Sequence, residues 1–366
     1  MFEFEKILEM TVGADASDLI LKVGSPPAMK VSGRVLFLSD ERLESADGWR
    51  VAREVAPPDA FAVFESLGEA DFSYEAEGRG RFRVNLFRQG GEPGMVLRQI
   101  KNMIPTFQDL KLPHEQFSYL SALDRGIIFV TGVTGSGKST TLAAMVETIN
   151  NTRNKHIITL EDPVEYTFSD NLSIVNQREV GSDTRTFATG LRASMREAPD
   201  VIMVGEIRDL ETMESAIAAA ETGHLVLTTL HTVNAIQTVE RIQTFFPPHQ
   251  HDLVRLQLST VLCGVASQRL LPSLQSTGMV PAVEILIATP RVRELVFEGK
   301  TLEIEKALVE GAEYYGTQTF NMSLKSLYEQ RLISLEDALS ASDNPDDLKL
   351  QIRGVQTGVS ASRMRI

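Results

Sequence analysis

Residues 126–150 read GIIFVTGVTGSGKSTTLAAMVETIN. The opening GIIFVT is a short apolar run rich in β-branched and aromatic residues, the pattern of a buried strand. In the closing part, Leu142, Met145, Val146 and Ile149 recur at i, i+3, i+4 and i+7, the apolar stripe of a helix. Between them GVTGSGKST (132–140) fits GxxxxGK[ST], with Gly132, Gly135, Gly137, Lys138 and Ser139 in place. Strand, glycine-rich loop and helix in that order are the context a phosphate-binding loop requires. Glycines let successive backbone N–H groups turn inward around phosphate oxygens, and the helix N-terminus adds its positive dipole end. Lys138 can reach the outer phosphates and Ser139 can ligate Mg²⁺. The expected nucleotide contacts are therefore Thr134, Gly135, Ser136, Gly137, Lys138, Ser139 and Thr140, with ATP and Mg²⁺ as the ligands.

Three later runs share one design. KHIITLED (155–162), PDVIMVGE (199–206) and GHLVLTTLH (223–231) are apolar and each ends in a carboxylate or a histidine. With GIIFVT they predict an α/β fold, a parallel sheet flanked by helices that extends to about residue 290, followed by helical patterns to about 350. Ligands of an open parallel sheet sit beyond the carboxyl ends of its strands, so Glu161, Asp162, Glu206 and His231 should converge beside the phosphate loop. A single strand-terminal acid is more often a helix cap; three such strands after a phosphate loop reverse that preference. Glu206, closing VIMVG, is placed to act on Mg²⁺ or its water. Glu161 or Asp162 is the second acid, and spacing does not rank them. His231 can hydrogen-bond a γ-phosphate or a catalytic acid. His224 lies seven residues earlier, so in one unbroken strand the two histidines face opposite sides. Either histidine alone is as readily structural.

Before residue 105 the pattern is different. DLILKV (18–23), KVSGRVLFL (30–38), GRFRVNLFRQ (80–89) and GMVLRQI (94–100) read as strands, with a helix near 43–55. Residues 1–103 thus form a small α+β domain. IPTFQDLKLP (104–113) reads as an extended linker, residues 114–350 as the nucleotide-binding domain with its C-terminal helices, and 351–366 as a fraying tail. In GRFRVNLF, alternation sends Phe82, Val84 and Leu86 to the core and Arg81, Arg83 and Asn85 to solvent or a partner.

Composition narrows the function classes. The 366 residues carry a formal net charge of −13, which works against bulk attraction to nucleic acid or anionic lipid. Cys263 is the single cysteine, so an internal disulfide and a CxxC zinc site are excluded, and it reads as a small core residue. No apolar stretch approaches the roughly 18 residues of a membrane span, and the start MFEFEKILEM is acidic, which predicts a cytosolic protein. A nucleic-acid translocase and a non-hydrolysing nucleotide-binding regulator remain as alternatives. The first wants a basic or aromatic channel; the second would lack the acids Glu161 and Glu206.

GVTGSGKST, ITLEDPVEY (158–166), MREAPDVIMVGEIRDLET (195–212) and AAETGHLVLTTLHT (219–232) together resemble the secretion-superfamily ATPases, and most of all the PilT/PilU-type retraction motors of type IV pili. GRFRVN, SQRLLP (267–272) and TPRVRELV (289–296) extend the likeness to about residues 5–350. The resemblance implies a RecA-like core preceded by a PAS-like domain, a homohexameric ring, and ATP hydrolysis that drives pilus retraction. It implies that Glu161 is the acidic-box carboxylate and Glu206 the Walker-B glutamate, and that both histidines belong to the histidine box. Arg81 and Arg83, with Arg98 another candidate, would complete a neighbour's site. It further implies a cytoplasmic position peripheral to the inner membrane, an inner-membrane platform protein and a related motor ATPase as partners, and no nucleic acid. Two features depart from the pattern: Val133 stands where retraction motors often carry proline, and TPRVRELVFEGK matches their AIRNLIRE segment only loosely.

Overall fold

The computed structural model describes residues 2–14, 16–31, 33–100, 103–276 and 278–354. Its contacts divide the chain into two units. Unit 1 is Met1–Met103 with Pro163–Thr167, and unit 2 is Ile104–Asp162 with Phe168–Ile366.

Unit 1 runs α1 (Phe4–Gly13), β1 (Asp18–Lys22), β2 (Ala28–Val31), β3 (Arg34–Phe37), α2 (Ser45–Val55), α3 (Pro58–Leu67), β4 (Glu69–Ala76), β5 (Gly80–Gln89) and β6 (Glu92–Gln99). Its six strands form an antiparallel sheet in the order β3-β2-β1-β6-β5-β4. Phe82, Val84 and Leu86 are fully buried among Val51, Ala52 and Phe64 of the two helices, each contributing about 1.5–3 kcal/mol of apolar burial. The run KVSGRVLFL, expected as one strand, is instead the hairpin β2–β3, with Val31 paired to Arg34 and Gly33 at positive φ. Sequence periodicity also missed α1, α3 and β4.

Unit 2 runs α4 (His114–Ser121), β7 (Gly126–Thr131), α5 (Lys138–Thr152), β8 (His156–Glu161), β9 (Ile174–Glu179), α6 (Phe187–Ser194), β10 (Val201–Val204), α7 (Leu210–Glu221), β11 (Leu225–Leu230), α8 (Ala235–Thr244), α9 (His251–Val261), β12 (Leu262–Pro272), β13 (Met279–Ile287), α10 (Pro290–Glu298), α11 (Ile304–Tyr315), α12 (Phe320–Glu329), α13 (Leu335–Ser340) and α14 (Pro345–Ile352). The sheet order is β13-β12-β7-β11-β10-β8-β9. Alternate residues of β7 feed two cores. Ile127 and Phe129 pack with residues of α7–α10, while Ile128 and Val130 pack against Leu142, Met145, Val146 and Ile149 of α5. The expected all-parallel sheet holds from β12 to β9, but β13 turns back antiparallel along β12 through a tight connection in which Ser273 N–H donates to Gly278 O.

Residues 104–113 are not an extended linker. The stretch curls into turns, Thr106 and Asp109 cap each other, and Phe107 and Leu112 are buried in the core of unit 2 beside Phe117. Its apolar residues anchor the segment, so the prolines punctuate a folded turn. Helix α14 runs to Ile352, and residues 355–366 of the expected tail lie outside the described residues. Among the described residues no helix is long and apolar enough to cross a membrane.

Candidate active site

The carboxyl edge of the unit 2 sheet collects the residues picked out above. Thr131, at the end of β7, pairs with Leu230 at the end of β11, and Val204 at the end of β10 pairs with Leu160 of β8. The phosphate loop, His231, Glu206 and Glu161 therefore emerge from four successive strands on one edge, with Glu161 roughly 14 Å from β7 at the usual strand spacing.

The loop is shaped by its glycines. Gly132 (φ 146°) lies so close to its neighbours that an added Cβ would come within 2.4 Å of Ser136 Oγ and 2.6 Å of Gln268 O. Gly137, in the left-handed region at φ 91°, is the N-cap of α5. Lys138 is 8% exposed, and its Nζ donates to Gly132 O (2.9 Å) and Val133 O (3.0 Å). Ser136 Oγ is buried with no hydrogen-bond partner, which a native loop rarely tolerates. That hydroxyl, a buried ammonium and a helix N-terminus are the donor set a polyphosphate needs, so the residues fit a nucleotide.

Glu206 is largely buried, with its side chain 14% exposed between Arg208 and His231. Arg208 pairs with one carboxylate oxygen, and His231 Nε2 stands 3.4 Å from the other. The hydrogen bond to Glu206 pushes Arg208 further above its ordinary range. Glu161 is buried at the end of β8 and accepts from Thr159 Oγ1 (2.7 Å) and Gln177 Nε2 (3.0 Å). Asp162 is exposed and adds its field to Arg208. Among the described residues no group of three or more His, Cys, Asp and Glu could hold a metal unaided. Ser139 and Glu206 are the residues that would hold a Mg²⁺, which would supply positive charge to a bound polyphosphate.

His224 is not part of this edge. It precedes β11, at the opposite end of the strand, and its Nδ1 lies 2.8 Å from Ala219 O. Cys263 is half-buried rather than central; burial pushes its thiol up, and Sγ donates to Arg125 O. On unit 1 the alternation of β5 is as expected. Arg83 is exposed 3.8 Å from Asp71, Arg81 is half-buried opposite Glu75, and Arg98 Nε donates to Asp18 at 2.8 Å. Arg83 and Arg98 line a cavity of about 310 Å³ completed by residues 163–166 of the same unit.

Sequence reasoning missed Arg208 and Gln177. The signal for Arg208 was available in GEIRD, where it stands two residues after Glu206; Gln177 sits on β9, a short, half-exposed strand without an apolar run.

The chain also resembles known proteins along most of its length. Residues 76–332 match the family described as Type II/IV secretion system protein. The chain is 43% identical to the type IV pilus ATPase PilU of Pseudomonas aeruginosa over 96% of this chain and 91% of that one. It is 41% identical to the type IV pilus retraction ATPase PilT of the same organism, over 94% and 99% of the two chains. The crystal structure of the pilus retraction motor PilT with bound ADP superposes with a TM-score of 0.88 at 46% identity, covering 95% of this chain and 99% of that one. The Legionella pneumophila ATPase DotB is more distant, with a TM-score of 0.73 at 30% identity. Phosphate loop, edge acids and full-length likeness together place the chain in the type II/IV secretion family, as a nucleotide-binding ATPase of the PilT/PilU pilus-retraction type.

Proposed function

We propose that the chain works as a homohexameric ring in the cytoplasm, at the inner-membrane base of a type IV pilus, where ATP turnover drives retraction. The observation that carries the reading is Glu206, at the end of β10, held 3.4 Å from His231 at the end of β11, the strand beside that of the phosphate loop. The loop N–H groups from Thr134 to Thr140 and the Lys138 ammonium bind the phosphates, and Ser139 and Glu206 would hold a Mg²⁺, which would supply positive charge to them. Glu161 or Glu206 takes the proton of the attacking water, and His231 orients Glu206 or meets the γ-phosphate. Arg81 and Arg83 of one copy supply positive charge to the site of the next. An inner-membrane platform protein and a related motor ATPase are the partners that fit; the relatives in Pseudomonas aeruginosa carry two such names, PilT and PilU.

Glu206→Gln is the test, because the amide keeps the shape and loses the charge. It should bind ADP within about twofold of the parent and lose turnover by on the order of 10²–10⁴. In cells lacking their own motor, the parent chain should restore pilus retraction and the variant should not. Parental turnover in the variant, or equal loss of binding and turnover, would remove Glu206 from the chemistry.

A further inference from the structure

Strand β12 carries three consecutive side chains that reach three different parts of unit 2. Ser267 Oγ accepts from Thr131 Oγ1 (2.9 Å), at the root of the phosphate loop. Gln268, buried on the opposite face, donates from Nε2 to Thr141 Oγ1 of α5 (2.8 Å). Arg269 returns to the first face and reaches furthest. One Nη2 donates to Val233 O (3.4 Å), in the turn that joins His231 to helix α8, and to both carboxylate oxygens of Asp343 at 2.8 Å. Nη1 donates to Ala341 O, and the guanidinium lies 3.8 Å from the ring centroid of Phe320.

The same turn has a second anchor. Glu284 of β13 is buried and accepts from the Ala235 N–H at 2.6 Å. The turn 231–235 is therefore tied through its own backbone, at Val233 and Ala235, to the strands on the far side of β7. Asp343 and Ala341 belong to the connection between α13 and α14, so Arg269 ties this turn to the C-terminal helices.

We propose that Arg269 is a positioning residue for ATP turnover: by holding the Val233 carbonyl it keeps His231 against Glu206, while Asp343, Ala341 and Phe320 of the C-terminal helices set where Arg269 lies. The inference rests on the reading of Glu206 and His231 as the hydrolysis pair. With Nη2 held by Asp343, Nη1 by the Ala341 carbonyl and the plane against Phe320, the guanidinium has little freedom left, so its bond to Val233 acts as a strut. Displacing Asp343 frees the guanidinium, and with it the turn. The seat of the C-terminal helices on the sheet is thereby coupled to the geometry of the catalytic edge. A displacement of about 1 Å in a catalytic group can cost on the order of 10²-fold in rate, so a small slackening of the turn is enough to be read in kcat.

The experiment is a double-mutant cycle on the full chain, with steady-state phosphate release and ADP affinity as readouts. Arg269→Met keeps the stem and removes the fork. It should lower kcat by about tenfold or more while ADP affinity changes less than about twofold. His231→Asn should also lower kcat. If Arg269 acts through His231, then Arg269→Met in the His231→Asn background costs little further, which a merely structural residue would not show. Multiplying losses, or an unchanged kcat for Arg269→Met, would reduce Arg269 to a staple for the C-terminal helices. If His231→Asn alone leaves kcat at the parental value, the hydrolysis-pair reading fails and this inference with it. Should Arg269→Met fail to fold, Asp343→Ala decides, since Asp343 is exposed and its loss slackens the same fork. It should lower kcat by about threefold or more, again without a further effect beside His231→Asn; an unchanged kcat would overturn the proposal.

Discussion

The phosphate loop and the histidine turn are two strand-to-helix connections side by side on one sheet edge, and they are held in different ways. The first closes on itself. Lys138 donates to the carbonyls of Gly132 and Val133, Ser136 N–H donates to Val133 O, and a left-handed glycine at 137 starts the helix. The second is also held from outside. Asn234 caps α8 and both Thr232 and Asn234 bond Thr238 of that helix, but the turn is also tied to Arg269, Glu284 and Glu206. A loop that stores its geometry in its own residues can be recognised by spacing. One that borrows its geometry from distant strands can be sensitive to whatever moves them.

The sharpest way to break this contrast is to show that the self-contained loop is chemically incomplete. If Arg81 and Arg83 act on a neighbour's site, then Lys138→Ala and the double variant Arg81→Ala with Arg83→Ala are each inactive alone and regain activity when mixed. Some sites would then combine an intact loop from one copy with intact arginines from another. An arginine supplied in trans is worth about 10³–10⁵ in rate, so even partial recovery stands clear of background. Mixed rings that stay inactive would return Arg81 and Arg83 to an exposed polar face.

Lys138→Ala alone tests the loop itself. Losing that charge should cost on the order of 10²–10³ in turnover or more, with little change in thermal melting, because its named bonds are to the loop's own carbonyls. Near-parental hydrolysis would overturn the phosphate-loop reading. A collapse of the fold would show instead that the buried ammonium holds the loop together.

What could be read from sequence follows the same division. GIIFVT, HIITLE and LVLTTL are legible because strands buried on both faces leave uninterrupted apolar runs. The edge residues were legible because Glu206 and His231 each stand three residues before a helix cap, Asp209 and Asn234, so strand, chemistry and punctuation lie within a few positions. Strand β9, IVNQRE, is short and half-exposed, and offers no such run. The antiparallel return of β13 is decided by pairing with β12, a long-range choice that periodicity does not encode. Prolines in 104–113 suggested an extended link, yet Phe107 and Leu112 found the core. Arg269 and Glu284 were invisible for a simpler reason. Their partners are 36, 49 and 74 residues away, and only the fold puts them within reach.

Glu284 turns the outside anchoring into a pH effect. Burial pushes its carboxyl up to about 7 from 4.5, further raised by the fields of Asp343 and Glu305 and opposed by the Ala235 N–H and Arg269. Between those values the folded chain keeps a proton that the unfolded chain releases. The group's contribution to stability is therefore full below the unfolded value and lost as pH rises through about 7. Glu284→Gln keeps an oxygen for the Ala235 N–H and removes the titration. Relative to this variant, the parent should lose stability between about pH 5 and pH 8, by up to ~3 kcal/mol at about 1.4 kcal/mol per pH unit. Urea unfolding at both pH values reads the difference, and equal pH slopes for the two proteins would show that Glu284 does not titrate in this window.

The smallest expected effect separates the two histidines at opposite ends of β11. Six strand residues lie between them, so at about 3.3 Å per residue they stand roughly 23 Å apart, and only His231 reaches the catalytic edge. His224 has a local task. Ala219 lies in the last turn of α7, where carbonyls lack partners within the helix, and His224 supplies both its backbone N–H (3.1 Å) and its Nδ1–H (2.8 Å) to that oxygen. Thr222 Oγ1, 3.2 Å from Nδ1, steadies the ring. The side chain thus closes a helix end. Removing one such hydrogen bond typically costs about 1 kcal/mol, because water replaces much of it and the backbone N–H remains. His224→Ala should accordingly lower stability by about that amount and leave turnover within about twofold of the parent, whereas His231→Asn should do the reverse. If His224→Ala instead lowers turnover while its melting curve stays put, the strand transmits something between its two ends, and the separation drawn here between a structural and a catalytic histidine fails.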